Sequence, residues 1–242
     1  MAELYQIDAR FWYSAIMIIH SHSKVGKEAL EEKEAVLIGL SIRNSYFKDE
    51  NLHKLISWAK DNFKHIHLMC PDEPAIDTLM ALGYPANKAK LKATLACNNL
   101  ENKCRRIMEQ LGIDAKFIRW DDIKNHDGYT TVYQQLKELY ENNPEFHRDV
   151  RDTTQEVIEN HGTTLPMEEA IDIGVEFFLK ETAFILNAAE ILGVPKSAYL
   201  YHNEMPVLDK LMNGEYGFTA PGNTGYIVGE TDRTHKKPPI YE

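Results

Sequence analysis

The segment Glu34–Phe47, EAVLIGLSIRNSYF, limits what this chain can fold into more than any other stretch. Ala35–Leu40 is apolar without alternation, which suits a strand covered on both faces at the centre of a parallel sheet. The run closes with Gly39-Leu40-Ser41, so Ser41 stands where the chain leaves the carboxyl end of that strand. Open α/β sheets bind ligands at such ends. A serine there suits a nucleophile, and equally a residue that caps the next turn or helix.

The flanking chain alternates strand and helix. Tyr13–His20 reads as a first strand, and Lys27–Glu32 as a helical turn. Asp49 is positioned to cap a helix running to Phe63, with Leu52, Leu55, Ile56, Ala59 and Phe63 on one face. A third strand over His65–Cys70, a helix over Ala75–Leu82 closed by Gly83, and a long helix over Asn87–Leu111 follow. Ala115–Trp120 and Ser197–His202 read as further strands. Thr130–Tyr140, Pro144–Asn160, Met167–Leu192 and Val207–Met212 read as helices, and Gly225–Val228 as an added edge strand. This grammar predicts a Rossmann-like parallel sheet with helices on both faces. One domain is expected over residues 1–230, with a flexible tail over 231–242.

Charge is unevenly spread. The chain carries a net −10, which argues against a general nucleic-acid binder. Yet Tyr84–Arg106 holds Lys88, Lys90, Lys92, Lys103, Arg105 and Arg106 against the single acid Glu101, a local +5 that leaves −15 elsewhere. Interspersed asparagines offer donors to phosphate or sugar oxygens. Such a run is either a solvated helix face or a contact for a polyphosphate or RNA backbone.

Glu181 lies within a helix that is apolar around most of its circumference, between Phe177-Phe178 and Phe184-Ile185. A carboxylate there is costly unless it is paired or has work to do. The same spacing also allows a polar stripe shared with Glu176 and Lys180. In Ser197–His202, Tyr199 and Tyr201 point to one face and Leu200 and His202 to the other.

Several classes drop out. No GxGxxG or GxxxxGK[ST] is present, so dinucleotide and P-loop sites are not expected. Arg43 occupies the place of the second glycine in a GxSxG elbow. No HIGH-like or KMSKS-like pair handles ATP, so whatever Ser41 attacks should arrive activated. Cys70, Cys97 and Cys104 are too few and too scattered for a disulfide framework and fit no zinc set, which points to a reducing cytoplasm. No leader and no span long enough for a bilayer is found.

Three features in this order resemble the tRNA-dependent cyclodipeptide synthases: Leu37-Ile38-Gly39-Leu40-Ser41 followed by Asn44-Ser45-Tyr46-Phe47; Glu181 on an apolar helix; and Tyr201-His202 at a late strand end. Asn44, Tyr201 and His202 together look like the family's Asn/Tyr/His subgroup. The resemblance covers residues 10–230. It implies a fold similar to the catalytic domain of class Ic aminoacyl-tRNA synthetases, without use of ATP or any cofactor or metal. It implies two aminoacyl-tRNAs as substrates, a 2,5-diketopiperazine as product, and a monomer. By the same resemblance Ser41 is the nucleophile, Glu181 engages the α-amino group, and Tyr201 assists proton transfer. Gly39, Asn44 and His202 support the site, and the basic helix binds tRNA.

Two positions depart from the family: Ala35, where a histidine is usual, and Phe177, where a tyrosine is usual. Tyr199 and Tyr129 are candidates to supply the missing hydroxyl. No Ser-His-Asp triad is evident, so backbone N–H groups after Gly39 are expected to hold the oxyanion, with the substrate taking protons. Glu181 would act either as a base of raised pKa or as an ionised partner for the ammonium. His65 and His67 would favour polar substrates if they face the site. Two other readings stay open: a serine hydrolase or acyltransferase on small esters using Ser41 and His202, and a non-catalytic tRNA-binding module.

Overall fold

A computed structural model of the protein describes residues 17–21 and 23–231. Along the chain run β1 (Met17–His20), α1 (Lys24–Glu32), β2 (Ala35–Gly39), α2 (Asp49–Asn62), β3 (His65–Met69), α3 (Pro74–Ala81), α4 (Ala86–Leu111), β4 (Lys116–Ile118), α5 (Asp127–Asn142), α6 (Pro144–His161), α7 (Met167–Leu186), α8 (Ala188–Ile191), β5 (Ser197–Tyr201), α9 (Pro206–Met212) and β6 (Thr224–Thr231). Residues 13–16 of the expected first strand and residues 232–242 of the expected tail lie outside the described residues.

The strands form one sheet in the order β1-β6-β5-β2-β3-β4. All neighbours are parallel except β1, which runs antiparallel to β6. β2 is central and buried at every residue. Val36 and Ile38 pack with Leu52, Leu55 and Ile56 of α2 and Leu100 of α4 on one face. Leu37 joins Ala183 and Phe184 of α7 on the other. Burial on both sides explains why β2 shows no alternation. Each such side chain contributes about 1.5–3 kcal/mol relative to exposure.

Four expectations are corrected. Gly225–Val228 is not an edge: it lies inside β6, and Tyr226, Ile227 and Val228 are fully buried. The outer position is taken by β1, from the opposite end of the chain, so no local pattern around Gly225 announces its partner. A Cβ on Gly225 would fall 2.2 Å from the Gly26 nitrogen, because α1 crosses β6 backbone to backbone. Met167–Leu192 is not one helix. It breaks at Asn187, which leaves helical geometry (φ −119°, ψ 22°) and donates its amide to the Glu190 carboxylate at 2.9 Å.

Asp49 stands in the first turn of α2, not at its cap, which is Lys48. Finally, Cys70 and Cys97 form a disulfide across 27 residues, since the end of β3 meets the middle of α4. The inference to a reducing compartment loses the support it drew from scattered cysteines. Among the described residues no helix is long and apolar enough to cross a membrane.

The topology sets the site. From β2 the chain moves outward through β3 to β4, then crosses back through α5–α7 to place β5 on the other side of β2. The carboxyl ends of β2 and β5 therefore lie side by side at the point where strand order reverses.

Candidate active site

Ser41 follows β2, and Tyr201 ends β5. Their hydroxyl oxygens are 2.9 Å apart, within hydrogen-bond distance across 160 residues of sequence. Burial pushes the Tyr201 hydroxyl up to about 12, with the bond to Ser41 opposing the rise. Tyr201 therefore stays protonated at neutral pH and able to share a proton with Ser41.

A second pair braces the first. The Asn44 side chain meets His202 Nε2 at 2.9 Å, while Asn44 Oδ1 accepts the Tyr46 backbone N–H at 2.9 Å. That N–H can only donate, so it fixes which end of the amide is oxygen. Nδ2 then donates to His202, whose Nε2 carries the lone pair. The Tyr46 ring stacks on His202 at 4.1 Å, and Phe47 meets it edge-on at 5.4 Å. His202 is thus held by Asn44 and two aromatic rings, and Ser41 bonds to Tyr201 instead.

Gly39 is required by a close approach. A Cβ there would fall 2.2 Å from the Tyr199 hydroxyl oxygen, which lies against the Gly39 backbone. The Tyr199 ring is stacked at 6.3 Å on that of Tyr201. Burial, and next the field of Glu181, raise the Tyr199 hydroxyl pKa well above its ordinary value. Tyr129 instead feels Glu73, Glu176 and Asp77, a separate acidic group. Of the two candidate hydroxyls, Tyr199 is the one set beside Glu181.

Glu181 lies on α7 and keeps some accessible surface, yet protein atoms surround it closely, as in a recess. Among the described residues it makes no hydrogen bond or ion pair. Burial raises its pKa to about 8. The polar-stripe alternative is resolved by its neighbours. Glu176 accepts from the Tyr133 hydroxyl at 2.7 Å, and Lys180 pairs with Asp77 at 2.6 Å. Both belong to other contacts, and Glu181 stands apart from them. Phe177, one turn before Glu181 on the same face, is partly exposed and carries no hydroxyl.

Some expected groups are elsewhere or already engaged. The Leu40 N–H, the first after Gly39, donates to the Met69 carbonyl at 2.9 Å and is spent in the sheet. His65 begins β3 and His67 is its middle residue, and both line a depression of about 420 Å³ with Arg105 and Lys116. They do not reach Ser41, because the parallel register sets His65 beside Ala35.

The six basic residues of α4 divide into two groups. Lys103 and Arg106 share Asp49 at 3.2 and 3.6 Å, and Arg105 pairs with Glu101 at 2.5 Å. Lys88, Lys90 and Lys92 are exposed and make no ion pair among the described residues. Charge counting along the sequence missed this division, because Asp49 comes from α2. It also missed Arg43 and Tyr84 as neighbours of Lys92, which only the packing of the Ser41 turn on α4 reveals.

This arrangement defines an α/β protein with a serine–tyrosine pair at its topological switch and an unpaired carboxylate beside it. Residues 18–230 match the family model described as cyclodipeptide synthase, and the chain belongs to that family. It is 28% identical over 209 residues, 84% of either chain, to the cyclo(L-leucyl-L-leucyl) synthase of Bacillus subtilis. Its fold matches a cyclodipeptide synthase from Bacillus thermoamylovorans with a TM-score of 0.83 at 24% identity, covering 90% of this chain and 97% of that one. A Mycobacterium tuberculosis structure, described as relating cyclodipeptide synthetases to type I tRNA synthetases, matches at a TM-score of 0.77 and 21% identity. It covers 89% of this chain and 94% of that one.

Proposed function

We propose that this protein joins the aminoacyl units of two aminoacyl-tRNAs into a 2,5-diketopiperazine, through an aminoacyl ester on Ser41 and without ATP. The observation that carries the reading is the 2.9 Å Ser41–Tyr201 contact beside a carboxylate that has no partner. In the first step Ser41 Oγ attacks the aminoacyl ester carbon, the bond to the tRNA ribose oxygen breaks, and that oxygen leaves with a proton. Tyr201 aligns Ser41 and relays the proton. Leu40 is engaged in the sheet, so the oxyanion falls to the N–H groups of Ser41, Ile42 and Arg43, none of which makes a backbone hydrogen bond among the described residues.

Glu181 receives the α-ammonium of the bound unit. An arriving cation restores to the carboxylate what burial withholds, so binding itself ionises Glu181. Phe177 gives no hydroxyl to this contact, and the Tyr199 hydroxyl over Gly39 takes that part. The ammonium passes one proton to Glu181, and the amine so freed attacks the second aminoacyl ester carbon; the bond to the ribose oxygen breaks, and the second tRNA leaves with the proton the nitrogen gives up. The new amino terminus then attacks the seryl ester, closing the ring and regenerating Ser41. No oxidant or reductant enters. Lys88, Lys90, Lys92, Lys103, Arg105 and Arg106 hold the tRNA backbone. Such substrates belong to the compartment of translation, the cytoplasm.

A hydrolase pairing Ser41 with His202 finds no support, since the His202 Nε2 lone pair is occupied by Asn44. A purely RNA-binding role leaves the buried cost of Glu181 without a purpose. The test is mass spectrometry on purified protein incubated with charged tRNAs. Diketopiperazine is expected, together with an aminoacyl adduct on the intact protein. Ser41→Ala is expected to lose both, and product from that variant would overturn the seryl intermediate.

A further inference from the structure

Ser41 is followed by two residues whose side chains the chemistry above does not use. Ile42 packs on the small cluster of Ala75, Leu79, Ala89 and Ala93, so the turn is clamped against the first half of α4. Arg43 then adopts a left-handed backbone, φ 62°, which a non-glycine side chain takes at a cost. That conformation sends its exposed guanidinium over the ring of Tyr84, 5.8 Å from the centroid. The Lys92 ammonium lies 5.0 Å from the same centroid. Two cations thus converge on one aromatic ring, and neither makes an ion pair among the described residues. The ring's negative face attracts each cation. Their mutual repulsion stays uncompensated until an anion arrives.

We propose that Arg43, Tyr84 and Lys92 form the seat for the phosphates of the 3′-terminal nucleotides of the aminoacyl-tRNA. The inference rests on the function proposed above. The scissile ester sits at the 3′ end of the tRNA, and Arg43 is two residues from the serine that attacks it. The phosphates next to that ester are the anions that reach Arg43 when the carbonyl carbon reaches Ser41. Lys92 continues the track onto the unpaired half of α4, where Lys88 lies one turn further on. The paired half, with Lys103, Arg105 and Arg106 committed to Asp49 and Glu101, contributes less. Tyr84 acts by positioning: its ring gathers both cations, Arg43 at 5.8 Å and Lys92 at 5.0 Å.

The test uses the whole protein and steady-state diketopiperazine synthesis from aminoacyl-tRNA. Arg43→Gly is the informative variant, because glycine accepts φ 62° without strain and leaves the turn intact. A KM raised roughly tenfold with kcat within about twofold is expected. The slope of log affinity against log salt, measured on the inactive Ser41→Ala background, is expected to shrink by about 0.7 for one single-stranded phosphate contact. Lys92→Ala is expected to behave alike, and Tyr84→Leu to raise KM less. Thermal melting of Arg43→Gly is expected to be no lower than wild type. Unchanged KM and salt slope in Arg43→Gly and Lys92→Ala, with an active wild type, would overturn this seat alone. So would a fall in kcat at constant KM, which marks a structural role for the turn. A wild type that yields neither product nor aminoacyl adduct would take down the functional reading itself.

Discussion

The site has two poles that differ in how far the protein has already satisfied them. At the Ser41 pole the side chains of the pairs Ser41–Tyr201 and Asn44–His202 have protein partners, and rings wall them in. At the Glu181 pole a carboxylate waits with no partner and a pKa raised to about 8. A bonded network resists movement and fixes distances before substrate arrives. A buried carboxyl without a partner does the reverse: ionising it carries a cost that an arriving cation lowers. On the proposed function the first pole serves geometry and the second receives a cation, and mutations at the two should fail differently.

The largest expected effect separates the poles most sharply. Ser41→Ala removes the proposed nucleophile, so turnover is expected to fall by 10³-fold or more, with tRNA affinity retained. Next comes Tyr201→Phe, which keeps the ring stack with Tyr199 but removes the hydroxyl bonded to Ser41, the proposed proton relay. Loss of one acid–base group costs on the order of 10²-fold or more, and it is expected in kcat with KM little changed. A rise in KM without loss of kcat would show that Tyr201 belongs to recognition after all.

Glu181→Gln tests the other pole. It removes a charge-assisted contact worth about 1.5–3 kcal/mol, so kcat/KM is expected to fall roughly 10–100-fold. The same variant carries an opposite signature in stability. The ordinary glutamate value is 4.5 and the folded value about 8, so the folded protein binds the extra proton between them. Wild-type stability is therefore expected to decline as pH rises from about 4.5 to 8 on this account, and the penalty is constant above that window. Glutamine has no such penalty. Glu181→Gln is expected to melt higher than wild type at pH 9, by an amount on the order of a few kcal/mol, and equally at pH 4. Equal melting at both pH values would mean that Glu181 is already satisfied in the free protein.

What the sequence disclosed divides along similar lines. β2 was legible because double-sided burial leaves an apolar run that needs no partner to interpret. Ser41, Tyr201 and His202 were legible as strand-end residues, since the parallel grammar aligns strand ends. Glu181 was only half legible. Its apolar neighbours marked it as costly, but separating it from Glu176 and Lys180 required the partners of those two, Tyr133 on α5 and Asp77 on α3. The basic stretch of α4 was legible as a count and not as a pattern, because Asp49 on α2 neutralises part of it. The internal position of β6 and the Cys70–Cys97 bond were hidden for the same reason: both depend on chain segments brought together by topology alone.

The smallest effect belongs to Asn44, and it tests whether the bonded pole serves geometry alone. Asn44→Ala deletes the hydrogen bonds to the Tyr46 N–H and to His202, each worth about 1 kcal/mol, together with the side-chain contact to the Tyr201 hydroxyl. His202 stays stacked on Tyr46, so the ring loosens without leaving, and a loss of activity of roughly tenfold is expected. Asn44→Asp is the milder version. Its carboxylate still accepts from the Tyr46 N–H, and it meets neutral His202 once the imidazole carries its proton on Nε2, so the contact is kept with its direction reversed. A loss of activity smaller than that of Asn44→Ala is expected, read as kcat/KM. If Asn44→Ala keeps wild-type activity, His202 is held by its aromatic neighbours alone, and the Asn44 bond contributes nothing to the order of the Ser41 pole.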